Sequence, residues 1–142
     1  MSAAIHERYP VEKGAFETAG EVSGKIKRIL RKLGVASPVI RRVSVASYEV
    51  ELNLVIHSLG GYIEIDIAPD AITLIVQDRG PGIPNLDLAM QEGWSTAPDE
   101  VRMLGFGAGM GLPNMKRNAD EFDIQSEVGV GTRIYMKFYA AG

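Results

Sequence analysis

The chain has 142 residues, 46% of them hydrophobic, which predicts one domain spanning 1–142 with a real core and leaves too little length for two. Cysteine is absent, so a disulfide framework, a thiolate nucleophile and any sulfur-ligated zinc or iron–sulfur centre are excluded. Fifteen Lys and Arg against eighteen Asp and Glu give a formal net charge of -3, without the basic excess that nucleic-acid binding leaves in composition.

The N-terminus carries His6, Glu7, Arg8 and Pro10 where a secretory signal would need an apolar block, so a mature, cytoplasmic protein is expected. No apolar run approaches the roughly 20 residues of a membrane span. From Ala15 to Leu33, the apolar residues Val22, Ile26, Ile29, Leu30 and Leu33 recur at three- and four-residue steps, which predicts an amphipathic helix stopped at Gly34. Its basic residues Lys25, Lys27, Arg28, Arg31 and Lys32 then form a solvated face.

Ser37-Pro38 has the form of a cap followed by a first-turn proline, and opens a second helix reaching about Ser58 before Gly60-Gly61. Tyr62 to Ala68 alternates and Ala71 to Val76 is more continuously apolar, so these form a hairpin turned at Pro69-Asp70. Gln77 to Pro84 is a polar loop, Leu86 to Met90 a short helix, and Gly93 to Gly107 irregular. Gly109 to Ala119 resumes as a helix, and Phe122 to Ser126 with Thr132 to Tyr139 make a last hairpin across Val128-Gly129-Val130-Gly131. This order predicts an α+β fold: a two-layer α/β sandwich whose mixed, mostly antiparallel sheet is covered by helices on one face.

Three polar, glycine-marked features carry chemistry. Glu49 and Asn53 lie four apart on the second helix, so a carboxylate and an amide share one face, although such pairs are also common on ordinary helix surfaces. Asp78-Arg79-Gly80-Pro81-Gly82-Ile83 directly follows a strand; the acid suits an exocyclic amine and the glycines let a flat base approach the backbone. Gly105-Phe106-Gly107-Ala108-Gly109-Met110-Gly111 sets four glycines on alternate positions before a helix, a phosphate cradle in form. That run is neither a Walker A loop nor a dinucleotide fingerprint.

In this order, the three features resemble the N, G1 and G2 boxes of GHKL, or Bergerat-fold, nucleotide-binding domains. The similarity covers nearly the whole chain. It is strongest to anti-sigma-factor and stressosome-type serine/threonine kinases, through DRGPGIPNLDLAMQEGWST at 78–96 and GAGMGLPNMKRNADEFDIQSEVGVGT at 107–132. The resemblance implies that Asn53 ligates Mg2+ bridging the phosphates of ATP and that Glu49 is the general base. It implies that Asp78 reads the adenine amino group, with Gly80 and Gly82 beside the base and Thr132 at the same end of the pocket. Gly105, Gly107, Gly109, Met110, Gly111 and Leu112 would cradle phosphates under a lid from about Ser95 to Met110 that carries Arg102 as a further phosphate contact. His57 shares the face of Asn53 and is expected to be a hydrogen-bonded structural histidine, and Trp94 to pack at the lid hinge.

The function implied is an ATP-dependent serine/threonine protein kinase acting on a small regulatory protein resembling an anti-sigma antagonist. A sigma factor is an additional expected partner, ATP or ADP the nucleotide, and a homodimer is compatible with the resemblance; nucleic acid and membrane are not expected partners. The alternative is a nucleotide-gated binding module that sequesters a sigma factor or regulator without phosphoryl transfer. A histidine-kinase catalytic domain is disfavoured, because residues 15–58 are committed to the core and the nucleotide site.

Overall fold

Five strands and three helices account for most of the residues described by the computed structural model, which are 5–14, 16–57, 60–80 and 111–140. In chain order these are β1 (Ile5–Val11), a 3-10 turn (Phe16–Thr18), α1 (Glu21–Lys32), α2 (Ser37–His57), β2 (Gly61–Ile67), β3 (Ala71–Asp78), α3 (Gly111–Asn118), β4 (Glu121–Glu127) and β5 (Gly131–Tyr139). The short helix expected over Leu86–Met90, the lid and Trp94 lie outside the described residues.

The strands form one sheet in the order β1-β2-β3-β5-β4. All four pairings are antiparallel, so the antiparallel part of the expected sheet is present and no parallel pair occurs among the described residues. Register follows from the apolar alternation, because slipping one residue would turn every inward side chain to water. Ile65 lies beside Leu74, Leu74 beside Met136, and Ile72 beside Phe138, all buried on one face. The chain reverses between β2 and β3 where the Ala68 N–H donates to the Ala71 carbonyl at 2.9 Å.

The helices cover that apolar face. Val43, Ala46, Val50 and Leu54 of α2 recur at the helical period and are 0–1% exposed, joined by Ile26 and Leu30 of α1 and Met115 of α3. Each of the Val, Leu, Ile and Met side chains so withdrawn from water stabilises the fold by about 1.5–3 kcal/mol. The two layers therefore share one core.

The opposite sheet face is striped by charge. Arg8 of β1 pairs with Glu64 of β2, and His6 with Asp66. Across the sheet, Gln125 of β4 stands opposite Arg133 of β5, and Glu121 opposite Lys137. Cross-strand pairs of charged and polar side chains of this kind suit a face left in water.

Two elements differ from the sequence expectation. β1 was not anticipated, since Pro10 and the charges of His6-Glu7-Arg8 mask its alternation; proline is tolerated there because β1 is an edge strand. Helix α1 starts at Glu21 rather than near Ala15, after Gly20 takes a left-handed φ of 100°.

Candidate functional site

Topology gathers the candidate residues at one end of the sheet. β3 runs toward Asp78, whose register partner is Gly61, the first residue of β2, and Thr132 lies at the start of β5 beside them. Helix α2 ends shortly before β2, and the Arg79 N–H donates to the Gly60 carbonyl at 2.9 Å, which ties the chain beyond α2 to the chain beyond β3. Asn53 therefore sits about one turn from the end of α2 that meets Asp78.

Helix α3 lies antiparallel to α2. At the far end, Arg42 donates through Nη1 to the Asn118 carbonyl at 3.5 Å and to Asp120 Oδ2 at 2.9 Å, and through Nη2 to the Tyr139 carbonyl at 3.4 Å. A guanidinium at the carboxyl end of α3 also offsets the negative end of that helix dipole. With its last residue pinned there, α3 directs its first residues, Gly111 and Leu112, toward the Asp78 end. The Leu112 side chain is buried in the core, so its backbone N–H is the group it can offer to a phosphate.

Asp78 is held from two sides. Its Oδ1 accepts the Thr132 N–H at 2.7 Å, and its main chain is approached so closely that neither neighbouring glycine has room for a side chain. A Cβ on Gly61 would lie 2.1 Å from the Gln77 carbonyl oxygen, and one on Gly131 would lie 2.3 Å from the Asp78 carbonyl oxygen. Burial pushes the Asp78 carboxyl above the ordinary range, opposed by the Thr132 hydrogen bond. One carboxyl oxygen is thus fixed by the fold, leaving Oδ2 as the second acceptor. Thr132 is 5% exposed, and its hydroxyl bonds the Ser126 hydroxyl at 2.8 Å.

Glu49 is half-buried on α2. Burial raises its carboxyl pKa, and a side-chain hydrogen bond from Asn114 of α3 opposes the rise. Asn53, one turn further along α2, is also half-buried. The donor set suits magnesium, which takes few protein ligands and keeps water and phosphate oxygens for the rest; Asn53 supplies a neutral oxygen.

The structure thus sets Asp78, Gly80 and Thr132 at one sheet end, Asn53 and Glu49 about one and two turns before the end of α2 that leads there, and Gly111 and Leu112 at the start of α3. Gly82, Arg102, Gly105, Gly107, Gly109 and Met110 lie outside the described residues, as does the side chain of His57. Sequence reasoning missed Asn114, whose signal was a polar residue beside the Leu112, Met115 and Ala119 stripe. It also missed Glu51, which is 2% exposed and accepts the Val22 and Ser23 N–H groups at 3.2 and 3.1 Å. Gly20 contributes no side-chain cap to α1, so Glu51 supplies from α2 what the helix lacks locally.

The family model described as histidine kinase-, DNA gyrase B-, and HSP90-like ATPase matches residues 40–141. The chain is 32% identical over 112 residues to the serine/threonine-protein kinase RsbT of Bacillus subtilis (strain 168), covering 76% of this chain and 78% of that protein. It is 36% identical over 135 residues to an anti-sigma F factor of Clostridium kluyveri (strain NBRC 12016), covering 89% and 88%. A further anti-sigma F factor, from Geobacillus sp. (strain WCH70), is 34% identical over 97 residues, covering 64% and 63%.

Proposed function

Because the chain belongs to the histidine kinase-, DNA gyrase B- and HSP90-like ATPase family, we propose that it is an ATP-dependent serine/threonine protein kinase of the anti-sigma-factor type. Its substrate in this reading is a small regulatory protein in the cytoplasm. The observation that carries the proposal is the half-buried Glu49, one helical turn from Asn53 on the helix whose carboxyl end leads toward the sheet end marked by Asp78.

In this reading, Asp78 Oδ2 accepts the adenine amino group while Oδ1 keeps the Thr132 N–H, and Gly80 lets the base lie close to the backbone. Asn53 holds Mg2+, which when bound neutralises phosphate charge. The first N–H groups of α3, at Gly111 and Leu112, receive phosphate oxygens. Gly82 would sit at the base, and Gly105, Gly107, Gly109, Met110 and Arg102 would complete the phosphate cradle.

Glu49 then accepts the proton of a serine or threonine hydroxyl as that oxygen bonds to the γ-phosphorus. The bond from the γ-phosphorus to the bridging oxygen breaks, and ADP leaves with the electron pair. A carboxylate is required at that moment. The Asn114 hydrogen bond favours the ionised form against the burial that disfavours it. A module that only sequesters its partner has no use for such a group. Transfer of labelled γ-phosphate to a partner's serine or threonine, lost in Glu49→Gln, is the test.

A further inference from the structure

The β3–β5 register runs to Gln77 opposite Arg133, and one step beyond it stand Asp78 and Thr132. There the Thr132 N–H goes to the Asp78 side chain, and a second side chain completes the pairing. Gln77 Nε2 donates to the Asp78 carbonyl at 3.1 Å and to the Thr132 carbonyl at 3.4 Å. An amide NH2 carries two hydrogens, and here each has a main-chain acceptor, one on either strand. The two carbonyls also fix which way the amide is turned, because its oxygen in that place would set three acceptors against one another.

Successive side chains leave a strand on opposite faces. Gln77 therefore lies on the solvent face, in the row of Tyr62 and Arg133, while Asp78 turns to the face that carries the buried Leu74 and Val76. We infer that Gln77 is a positioning residue, whose amide ties the Asp78 and Thr132 carbonyls together from behind the sheet and so keeps the Asp78 carboxylate aimed at the adenine amine. Without that donor, both carbonyls lose a partner at the last rung of the β3–β5 pair, where Asp78 is half-buried and Thr132 buried. The strands then part there first, and the Asp78–Thr132 bond goes with them. Gln77 sits on the face away from the nucleotide, so it acts on base selectivity only through the backbone.

This inference rests on the reading of Asp78 as the adenine acceptor, and two measurements tell the failure of one from the failure of the other. The full chain is compared with Gln77→Met, which keeps the length and loses the donor, and with Gln77→Lys, whose ammonium can donate to both carbonyls. Calorimetry gives the affinity for magnesium–ATP and for magnesium–inosine triphosphate, in which a carbonyl replaces the amine. Hydrogen exchange at the Thr132 N–H is followed without nucleotide. Gln77→Met is expected to lose about five- to tenfold of the preference for ATP, the scale of one hydrogen bond, and to exchange the Thr132 proton faster. Gln77→Lys is expected to recover both. A wild-type preference in folded Gln77→Met, equal losses for the two nucleotides, or unchanged exchange at Thr132 overturns the inference. If wild type itself does not prefer ATP, the Asp78 reading fails, and the exchange alone then decides: faster in Gln77→Met and restored in Gln77→Lys upholds the clamp, unchanged overturns it. Should Gln77→Met not fold, Gln77→Thr, β-branched and too short to reach either carbonyl, takes its place in both measurements.

Discussion

Asp78 and Thr132 meet across the β3–β5 pair, the Thr132 N–H donating to Asp78 Oδ1 at 2.7 Å, so the acid assigned to adenine is aimed by the backbone of the neighbouring strand. Asp78→Asn can keep that bond through its amide oxygen, but then faces the adenine amino group with a second donor. The fold should persist and ATP affinity should fall by about 1–3 kcal/mol, the cost of a mispaired polar group. Titration calorimetry beside thermal unfolding separates the two effects; unchanged affinity in a folded variant contradicts the assignment.

The same carboxyl makes a pH prediction. Its folded pKa is raised, so its contribution to stability is greatest below the unfolded value near 3.8 and is lost as pH rises through the folded value. ATP binding runs the other way, because a proton on Oδ2, the oxygen that the Thr132 N–H leaves open, turns the acceptor for the adenine amine into a donor. Affinity should therefore weaken as pH falls through the raised pKa. Asp78→Asn should abolish that dependence, and a pH profile unaltered by the substitution would show another group to be responsible.

Gly61 couples the fold to the site. A Cβ there meets the Gln77 carbonyl oxygen at 2.1 Å and the Asp78 Cα at 2.8 Å, both backbone atoms that cannot yield without moving the end of β3. Gly61→Ala should destabilise by about 1–3 kcal/mol, as overpacking does, and should weaken ATP binding because Asp78 moves. Urea unfolding and calorimetry on one preparation test both halves. A variant of wild-type stability would show that the strands separate more easily than this packing implies.

Glu51→Ala should be costly despite lying outside the nucleotide site. It removes the acceptor of two N–H groups at the start of α1 and leaves buried donors unpaired, worth on the order of 2–3 kcal/mol. The loss should appear in the urea midpoint, with hydrogen exchange accelerated at Val22 and Ser23. Wild-type protection at those amides would mean that α1 caps itself.

How much of this was legible in the sequence depends on the range of the interaction. Helix α2 announced itself through Val39, Val43, Ala46, Val50 and Leu54, and the two hairpins through alternation and their turn residues, because those signals are local. Glu49, Asn53 and Asp78 were singled out by their positions in the sequence and by resemblance. Glu51 and Asn114 were not, since their partners come from other elements and no pattern within a helix shows them. β1 stayed hidden because its pairing with β2 supplies what Pro10 and three charged or titratable residues obscure.

The outer sheet face offers a separate check on the register. His6 is raised above its ordinary pKa of 6.5, chiefly by its hydrogen bond and charge interaction with Asp66, with Glu64 adding and Arg8 opposing. Its contribution to stability is complete below pH 6.5 and is lost as pH rises through the raised value. Proton NMR should show His6 titrating above 6.5 in wild type and returning toward it in Asp66→Asn. Identical titrations would place β1 in another register.

The central claim is that Glu49 takes the proton in phosphoryl transfer, and a single-turnover assay tests it most directly. The protein is loaded with magnesium and γ-labelled ATP and mixed with a small regulatory protein that binds it only when nucleotide is present. Glutamine at position 49 keeps the shape and can accept a hydrogen bond but cannot take a proton. Wild type is predicted to transfer the label to serine or threonine, and Glu49→Gln to bind ATP normally while transferring ~10²–10⁴-fold more slowly. Transfer by Glu49→Gln at the wild-type rate, or none by wild type with the partner bound, would contradict the account.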